Sequence, residues 1–331
     1  MAILISVVIP IYNQEKYLKD CLDSLFSQCR EDVEVVLVND GSTDRSSEIC
    51  RECISSYHVN AKLIDKENSG VFNSREVGVR SASGEYILFM DSDDMLLENA
   101  LNQIVERIRK FHPDMVLFNA TSDLESRSPR YGIELEEDRE LKGSDRYQVY
   151  KLLCCSDVLN NLWTKCIRKE LFNLIPVYEG SQPLTNGEDL YQILNLADKA
   201  QSFVFINKAL YYYRILPGGA ARNYNPFYFP SEKIVCSKRL EFAEKWGNNG
   251  ELVSGVEKQT YKILSVVSRL ALLSNMSWKE TKTEFRRLRS DEFYRKYFFN
   301  TRYGRDKWDT ILKAPFPLLY LAGIILKKKG K

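Results

Sequence analysis

Asp91-Ser92-Asp93-Asp94 sets three carboxylates within four residues, directly after the apolar run Tyr86–Met90. At the rim of a buried sheet such charges repel one another, and a cation that neutralises them lets them stay together. An all-oxygen set suits Mg2+ or Mn2+; a solvated turn is the bland alternative. Two other apolar runs also end in polar residues: Ile3–Ile9 in Pro10-Ile11-Tyr12-Asn13, and Val33–Val38 in Asn39-Asp40-Gly41-Ser42-Thr43-Asp44. The second ending is equally good turn and helix-capping chemistry. Asn68-Ser69-Gly70, followed by Asn73, Arg75 and Arg80, supplies a loop, a helix start and cations close in sequence, with Arg80 reading as a solvated helix face. Glu188 and Asp189 are adjacent near a helix start, so their side chains point about 100° apart and do not form one dyad. As plain helix-terminal acids they would contribute ~0.3–1 kcal/mol; otherwise one faces a cleft as a base. Neither GxGxxG nor GxxxxGK[ST] occurs, so a diphosphate would need a metal ion and basic side chains.

Residues at strand ends do chemistry together only if a sheet lines them up. The first 120 residues predict one: strands over Ile3–Ile9, Val33–Val38, Lys62–Asp65, Tyr86–Met90 and Met115–Phe118 alternate with helices over Glu15–Cys29, Asp44–Tyr57, Val71–Ala82 and Glu98–Lys110. This alternation implies a mostly parallel sheet covered on both faces, and the continuous Val/Ile/Leu runs fit strands buried on both sides. In such sheets ligands bind at the carboxyl ends of the strands. Ser122–Lys142 is polar and reads as an exposed loop or a short edge hairpin. A helix over Asn186–Lys199 and strands over Phe203–Ile206 and Leu210–Tyr213 follow, the last with alternate residues buried. From Ser231 onward the pattern is helical: Ser231–Trp246, Glu251–Ser274, Trp278–Arg289 and a final segment. The fold class is α/β with a helical C-terminal extension. Trp163 and Lys165 precede Arg168 in a mixed stretch. A tryptophan in a cleft stacks on a sugar ring, although at such a place it is more often core.

Length and charge bound the reading. A chain of 331 residues suggests about two domains. Its 47 Lys+Arg and 45 Asp+Glu leave a net charge of +2, which gives no reason to expect a nucleic-acid partner. That total averages two unlike parts: residues 276–331 carry 15 Lys+Arg against 6 Asp+Glu, a net of +9, and residues 1–275 carry −7. Ala314–Leu326 is an uncharged stretch bracketed by Lys313 and by Lys327-Lys328-Lys329-Gly330-Lys331. As a helix it reaches ~20 Å, short of the ~30 Å bilayer core. Apolar sequence with cationic flanks suits an interfacial anchor on anionic lipid, or a terminal helix packed on protein. The eight cysteines lack the rhythm of a disulfide framework, and Cys50-Arg51-Glu52-Cys53 reads as two thiols on one helix face. The first residues enter a strand pattern with no secretory leader, which predicts a cytoplasmic protein.

Taken in order, these segments resemble the family 2 glycosyltransferases of the GT-A fold. The carrying residues are Ser6–Asn13, Val38–Asp44, Asn68–Gly70, Gly84–Asp94, Asn161–Lys165, Gly187–Asp189 and Tyr211–Arg214. The resemblance covers about residues 3–215. It implies a GT-A domain over 1–215, with a nucleotide-sugar-binding half (1–120) and an acceptor half (121–215), and it leaves 216–331 as a helical extension with a basic, apolar, membrane-associating tail. It implies a Rossmann-like sheet, a UDP-sugar donor and Mn2+ or Mg2+. Pro10, Tyr12 and Glu15 would lie along the nucleobase and ribose, with Asn13 also in the donor site, and Asp40 would accept from the uracil N3–H. Asn68, Gly70, Asn73 and Arg75 would line the donor site. Asp91-Ser92-Asp93 resembles the DxD motif, with Asp93 a direct metal ligand and Asp91 close to the ribose or metal. Asp189 matches the catalytic base; Trp163, Lys165 and Glu188 fall on the acceptor side. Arg214 and the Pro217–Arg222 loop resemble a segment that closes over the diphosphate, although this loop lacks the expected serines. No histidine follows His112, so none from the C-terminal half ligates the metal.

The expected activity is inverting, metal-dependent transfer of a hexosyl or N-acetylhexosaminyl group. The expected acceptor is a lipid-linked glycan in capsule, exopolysaccharide or cell-wall polymer assembly. The expected location is the inner face of the bacterial cell membrane, held through the tail, and a homo-oligomer stays open. Two alternatives remain at this point. A sugar-phosphate nucleotidyltransferase would need a Gly-rich basic segment that Pro10–Lys16 lacks. A non-catalytic adaptor would have no reason to keep Asp91, Asp93 and Asp189.

Overall fold

A computed structural model describes residues 2–130, 133, 135–176, 178, 184–216, 224–247, 250–301, 303, 304 and 307–329. The chain divides into two compact units. The first comprises Met1–Val149, Val158–Tyr178 and Asn195–Ile215, and the second Tyr150–Asp157, Glu179–Leu194 and Leu216–Lys331. The division is thus not a single cut after residue 215, because two short segments from before it cluster with the helical unit.

The strands are β1 (Ile5–Ile11), β2 (Val33–Asp40), β3 (Ala61–Lys66), β4 (Tyr86–Phe89), β5 (Met95–Leu96), β6 (Met115–Thr121), β7 (Glu140–Lys142), β8 (Lys165–Arg168) and β9 (Ser202–Tyr212). They form one sheet in the order β3-β2-β1-β4-β8-β6-β9-β5, with β7 also pairing β9. The pairs β3/β2, β2/β1, β1/β4 and β6/β9 are parallel. β8 runs antiparallel to both β4 and β6. Among the described residues of β1 and β2 every side chain is buried, as continuous Ile/Val/Leu runs require.

Four helices accompany the parallel strands: α1 (Leu18–Phe26), α2 (Ser46–Tyr57), α3 (Val71–Ser81) and α4 (Ala100–Phe111). α1 buries Leu18, Cys21, Leu22, Leu25 and Phe26, and α4 buries Leu101, Ile104, Val105 and Ile108. Both sets follow the i, i+3, i+4 spacing of one helix face. Cys50 and Cys53 are both buried on α2, and burial pushes the Cys50 thiol up to about 12.

Three departures from expectation have local causes. The four residues of β8, Lys165-Cys166-Ile167-Arg168, hold no apolar run, so nothing in their pattern announced a strand. The two strands expected over Phe203–Ile206 and Leu210–Tyr213 are one strand, β9. Its register with β6 jumps from Phe118↔Ile206 to Asn119↔Ala209, where the exposed Asn207-Lys208 pair bulges out. Within Ser122–Lys142, residues 122–130 are mostly exposed and hold no strand, as the loop alternative expects, but the segment ends in a strand. It is β7, lying antiparallel on Phe203 and its neighbours in β9.

The remaining helices are α5 (Tyr147–Cys155), α6 (Glu188–Lys199), α7 (Tyr228–Trp246), α8 (Glu251–Leu273), α9 (Trp278–Ser290), α10 (Glu292–Tyr294), α11 (Lys307–Lys313) and α12 (Phe316–Lys329). A π-helical turn, Arg295–Phe299, follows α10. The helical unit has its own core, built on Leu264, Val267, Phe285, Leu288, Tyr294, Phe298, Leu312 and Leu319. α9 opens with a capping box in which Ser277 and Glu280 satisfy each other's backbone N–H groups.

Candidate active site

The parallel order β3-β2-β1-β4 brings the carboxyl ends of four strands to one edge of the sheet. Pro10, Asp40, Asn68–Gly70 and Asp91 follow or close those strands, so this edge gathers most of the expected donor-site residues. Asp40 is buried and nearly surrounded. Its Oδ1 accepts from Lys66 Nζ and from Ser69 N at 2.9 Å, and its Oδ2 accepts from Gly70 N at 2.9 Å. Burial pushes the carboxyl up, but Lys66 and the two backbone N–H groups win and hold it below the usual carboxylate range. Asp40 therefore pins the Asn68–Gly70 loop as well as facing the edge. Gly41 allows this approach: its φ is +74°, and a Cβ there would meet Asn68 N at 2.9 Å. Ser69 Oγ in turn donates to Asn73 Oδ1 at 2.8 Å. Lys66 was not singled out in the sequence; its place at the last residue of β3, paired with Asp40 of β2, is the signal.

The loops after β1 and β2 are tied to each other. Asn13 takes the left-handed conformation (φ 51°), its N–H donates to Ser42 Oγ at 3.0 Å, and its Oδ1 accepts from Thr43 N at 2.8 Å. Glu15 N donates to Asp44 Oδ2, and Glu15 Oε2 accepts from Arg45 N at 3.1 Å. Tyr12 stays exposed beside the buried Pro10.

At the end of β4 the acidic turn is wired to β9. Tyr211 OH donates to Asp94 Oδ2 at 2.8 Å and accepts from Asp91 N at 3.0 Å. Arg214 donates its backbone N–H to Asp94 Oδ1 at 2.8 Å and its Nε–H to the Asp93 carbonyl at 2.8 Å, with its guanidinium 5.0 Å from the Tyr17 ring centre. Arg75, 4% exposed on α3, reaches Asp91 Oδ1 at 3.1 Å. Burial, with Asp91 alongside, pushes Asp94 up to about 8; burial also raises Asp93. Ser92 is buried between them. The roles within the motif thus divide: Asp94 is the inward, hydrogen-bonded member, and Asp91 and Asp93 are the more open ones.

Trp163 and Lys165 sit elsewhere in character. Trp163 is 6% exposed and stacks on Tyr211 at 4.7 Å and Tyr213 at 5.5 Å. Lys165 is 1% exposed, with Nζ donating to the Asn161 carbonyl and to Thr164 Oγ1 at 3.1 Å. Both belong to the packed interior. Glu188 and Asp189, both half-buried at the start of α6, stand in the second unit. The Pro217–Arg222 loop lies outside the described residues.

The carboxylate chemistry fits a divalent cation. Two part-open carboxylates beside a buried third carry a repulsion that a cation would relieve, and Asp91 and Asp93 offer hard oxygen ligands. Among the described residues no group of three or more His, Cys, Asp or Glu side chains is placed to hold a metal alone. The site would therefore be completed by ligand oxygens.

A mostly parallel sheet with a carboxylate-rich turn beside a buried aspartate and a polar loop defines an α/β protein whose ligand edge is the carboxyl end of its strands. The comparisons name the family within it. The profile described as Glycosyl transferase family 2 matches residues 6–160. Glycosyltransferase GlyG of Streptococcus pneumoniae is 31% identical over 234 residues, covering 67% of this chain and 74% of that protein. The chain belongs to glycosyl transferase family 2. Glycosyltransferase GlyA of the same organism is 30% identical over 264 residues, 78% of this chain, but the chain spans only 37% of GlyA's length. The S. aureus TarS 1–349 structure in complex with UDP-GlcNAc has a TM-score of 0.61 at 22% identity, over 89% of this chain and 90% of that one. The fold is GT-A, and family membership removes the nucleotidyltransferase alternative.

Proposed function

We propose that this chain transfers a hexose or N-acetylhexosamine from a UDP-sugar, with inversion, to a hydroxyl of a lipid-linked glycan acceptor in the assembly of a capsule, exopolysaccharide or cell-wall polymer. The observation that carries the reading is the Asp91–Asp94 turn, anchored by Tyr211, Arg214 and Arg75 at the strand edge that also holds Asp40. UDP-GlcNAc in the similarly folded TarS supports the donor class.

In this reading Asp93, with Asp91, would hold Mn2+ or Mg2+, which would supply positive charge for the departing diphosphate. Arg75 orients Asp91 through its guanidinium. Asp40 keeps the Asn68–Gly70 loop in place for the uridine, next to Pro10, Tyr12, Asn13 and Glu15. Arg214 brings a positive charge to the same turn. Asp189 takes the acceptor hydroxyl's proton as the oxygen attacks the anomeric carbon, and Glu188 lies beside it on the acceptor side.

The same reading puts the chain at the inner face of the cell membrane. Among the described residues no helix is long and apolar enough to cross a membrane. α12 nevertheless exposes Leu318, Leu321 and Ile325 at i, i+3 and i+7, one stripe of a helix whose Leu319 is buried. This stripe, inside the region 276–331 of net charge +9, suits a surface of anionic lipid.

A panel of UDP-sugars with Mn2+, followed by UDP release, tests the activity. One donor should be turned over by the wild type and not by Asp93→Ala or Asp189→Ala. A wild type that neither binds UDP nor turns over any donor sinks the reading.

A further inference from the structure

The segment that opens α6 is clamped, residue by residue, by one face of α7. Thr185 N donates to Ser231 Oγ at 3.1 Å, and the two hydroxyls lie 3.3 Å apart. Asn186 Nδ2 donates to Glu232 Oε1, and the Asn186 side chain also hydrogen-bonds the Tyr228 hydroxyl. Gly187 has a φ of +77°, and a Cβ there would meet Val235 Cγ2 at 3.1 Å. Its carbonyl then accepts from Tyr191 N at 3.0 Å, the first turn of the helix that carries Glu188 and Asp189. Three consecutive residues thus meet Ser231, Glu232 and Val235.

Glu232 is the unexpected member of this clamp. It is 6% exposed in the middle of the helical unit, although Ser231-Glu232-Lys233 reads as an ordinary solvated helix turn. A buried carboxylate is costly unless it is bonded and charge-balanced. The charge of Arg239, two turns along α7 and 1% exposed, offsets part of that cost; Arg239 donates from Nε to the Leu153 carbonyl at 2.6 Å and from Nη2 to the Ser156 carbonyl. α7 is therefore fixed by Arg239 at one end of this face and holds Asn186 at the other.

We propose that Glu232 is a positioning residue: through its hydrogen bond to Asn186 it fixes the Thr185–Gly187 turn and so sets where the Asp189 carboxylate points. The assignment rests on Asp189 being the base. Glu232 touches no substrate; it acts through Asn186.

Reversing the polarity of the bond tests this. Glu232→Gln keeps an acceptor oxygen for Asn186. Asn186→Asp alone sets two carboxyl groups against each other, and Asn186→Asp with Glu232→Gln restores a donor–acceptor pair in the opposite sense. With UDP release from the most active donor of the panel, Glu232→Gln should lower kcat by less than about threefold and Asn186→Asp by about tenfold or more, at unchanged donor KM. The double variant should return kcat to within about threefold of wild type, a recovery that general loss of stability would not produce. Thermal melts identify any variant that fails to fold, and Glu232→Leu supplies a second loss of the acceptor. If Asp189→Asn is inactive while Asn186→Asp and Glu232→Leu keep wild-type kcat, or if the double variant does not recover, the positioning role is wrong. If Asp189→Asn keeps wild-type kcat, the base reading fails and takes this assignment with it.

Discussion

The strand edge of the first unit and the start of α6 in the second each hold an acidic group in place, but by different physics. At the strand edge, Asp40 is gripped by backbone N–H groups of Ser69 and Gly70 and by Lys66 from the next parallel strand. The parallel register sets Lys66 opposite Asp40, and the loop that follows β3 brings the two N–H groups. At the start of α6, Asn186 depends on Glu232, a side chain on a helix face whose direction is set by packing and by Arg239. The first shares its hold on one carboxylate among three donors, two of them backbone; the second is held by side chains alone, Glu232 and Tyr228 on Asn186 and Ser231 on Thr185. Variants that hit each in turn measure this difference.

The largest effect is expected at the turn itself. Asp93→Asn keeps size and removes the charge that faces a divalent cation, so kcat/KM should fall by about 10²–10³ or more, with stability little changed. Measuring turnover against Mn2+ concentration checks it. An Asp93→Asn enzyme with wild-type turnover would mean that the open carboxylates of this turn do no metal work.

Glu232 gives a stability effect with a definite sign. Burial, against the Asn186 hydrogen bond and the Arg239 charge, holds its carboxyl up at about 7 instead of 4.5. Between those values the folded chain keeps a proton that the unfolded chain has lost, so stability falls as pH rises from about 4.5 to 7 and the loss is complete above that. Glu232→Gln removes the titration. Relative to wild type it should gain up to about 3 kcal/mol between pH 5 and pH 8, read as a widening Tm gap. A gap that stays flat across that range would mean that Glu232 is ionised throughout, and that Arg239 balances it more fully.

These two residues also show what sequence could reveal. Asp93 was legible because a cluster of carboxylates after an apolar run is chemically conspicuous, and because β1 to β4 and their helices followed from Val/Ile/Leu runs and helical spacing. Glu232 was not, since a Glu between Ser and Lys in a helix looks solvated, and only three-dimensional packing buries it. β8 escaped for a related reason: Lys165-Cys166-Ile167-Arg168 becomes a strand because β4 and β6 offer it edges on both sides, not because its own residues demand one. Trp163 offered both a core and a sugar-stacking reading to the sequence, and only the fold shows which rings it meets, Tyr211 and Tyr213.

Asp40→Asn probes the robust side. Asn keeps one acceptor oxygen but turns an NH2 toward either the Lys66/Ser69 donors or Gly70 N, so the Asn68–Gly70 loop loses one anchor. Because two backbone donors share the work, the expected result is a rise of about tenfold in donor KM, about 1.4 kcal/mol, with kcat nearly kept. A kcat collapse like that of Asp93→Asn would show that the loop is not held redundantly.

The smallest expected effect tests whether the contrast between the two regions is complete. Tyr211 is the strand edge's own case of a tertiary clamp: it reaches Asp91 and Asp94 from β9, where it pairs with Leu96 of β5 on one side and Ala120 of β6 on the other. Tyr211→Phe removes the hydroxyl and leaves the ring stacked on Trp163. Asp91 N and Asp94 Oδ2 each lose a partner, but Arg214 N still holds Asp94 Oδ1, and β5–β9 pairing still holds the backbone of the turn. The cost should be about 1 kcal/mol in stability and less than about tenfold in kcat. If Tyr211→Phe instead matches Asp93→Asn, then the acidic turn depends on a single side-chain bond, and sheet register is not what makes the strand edge robust.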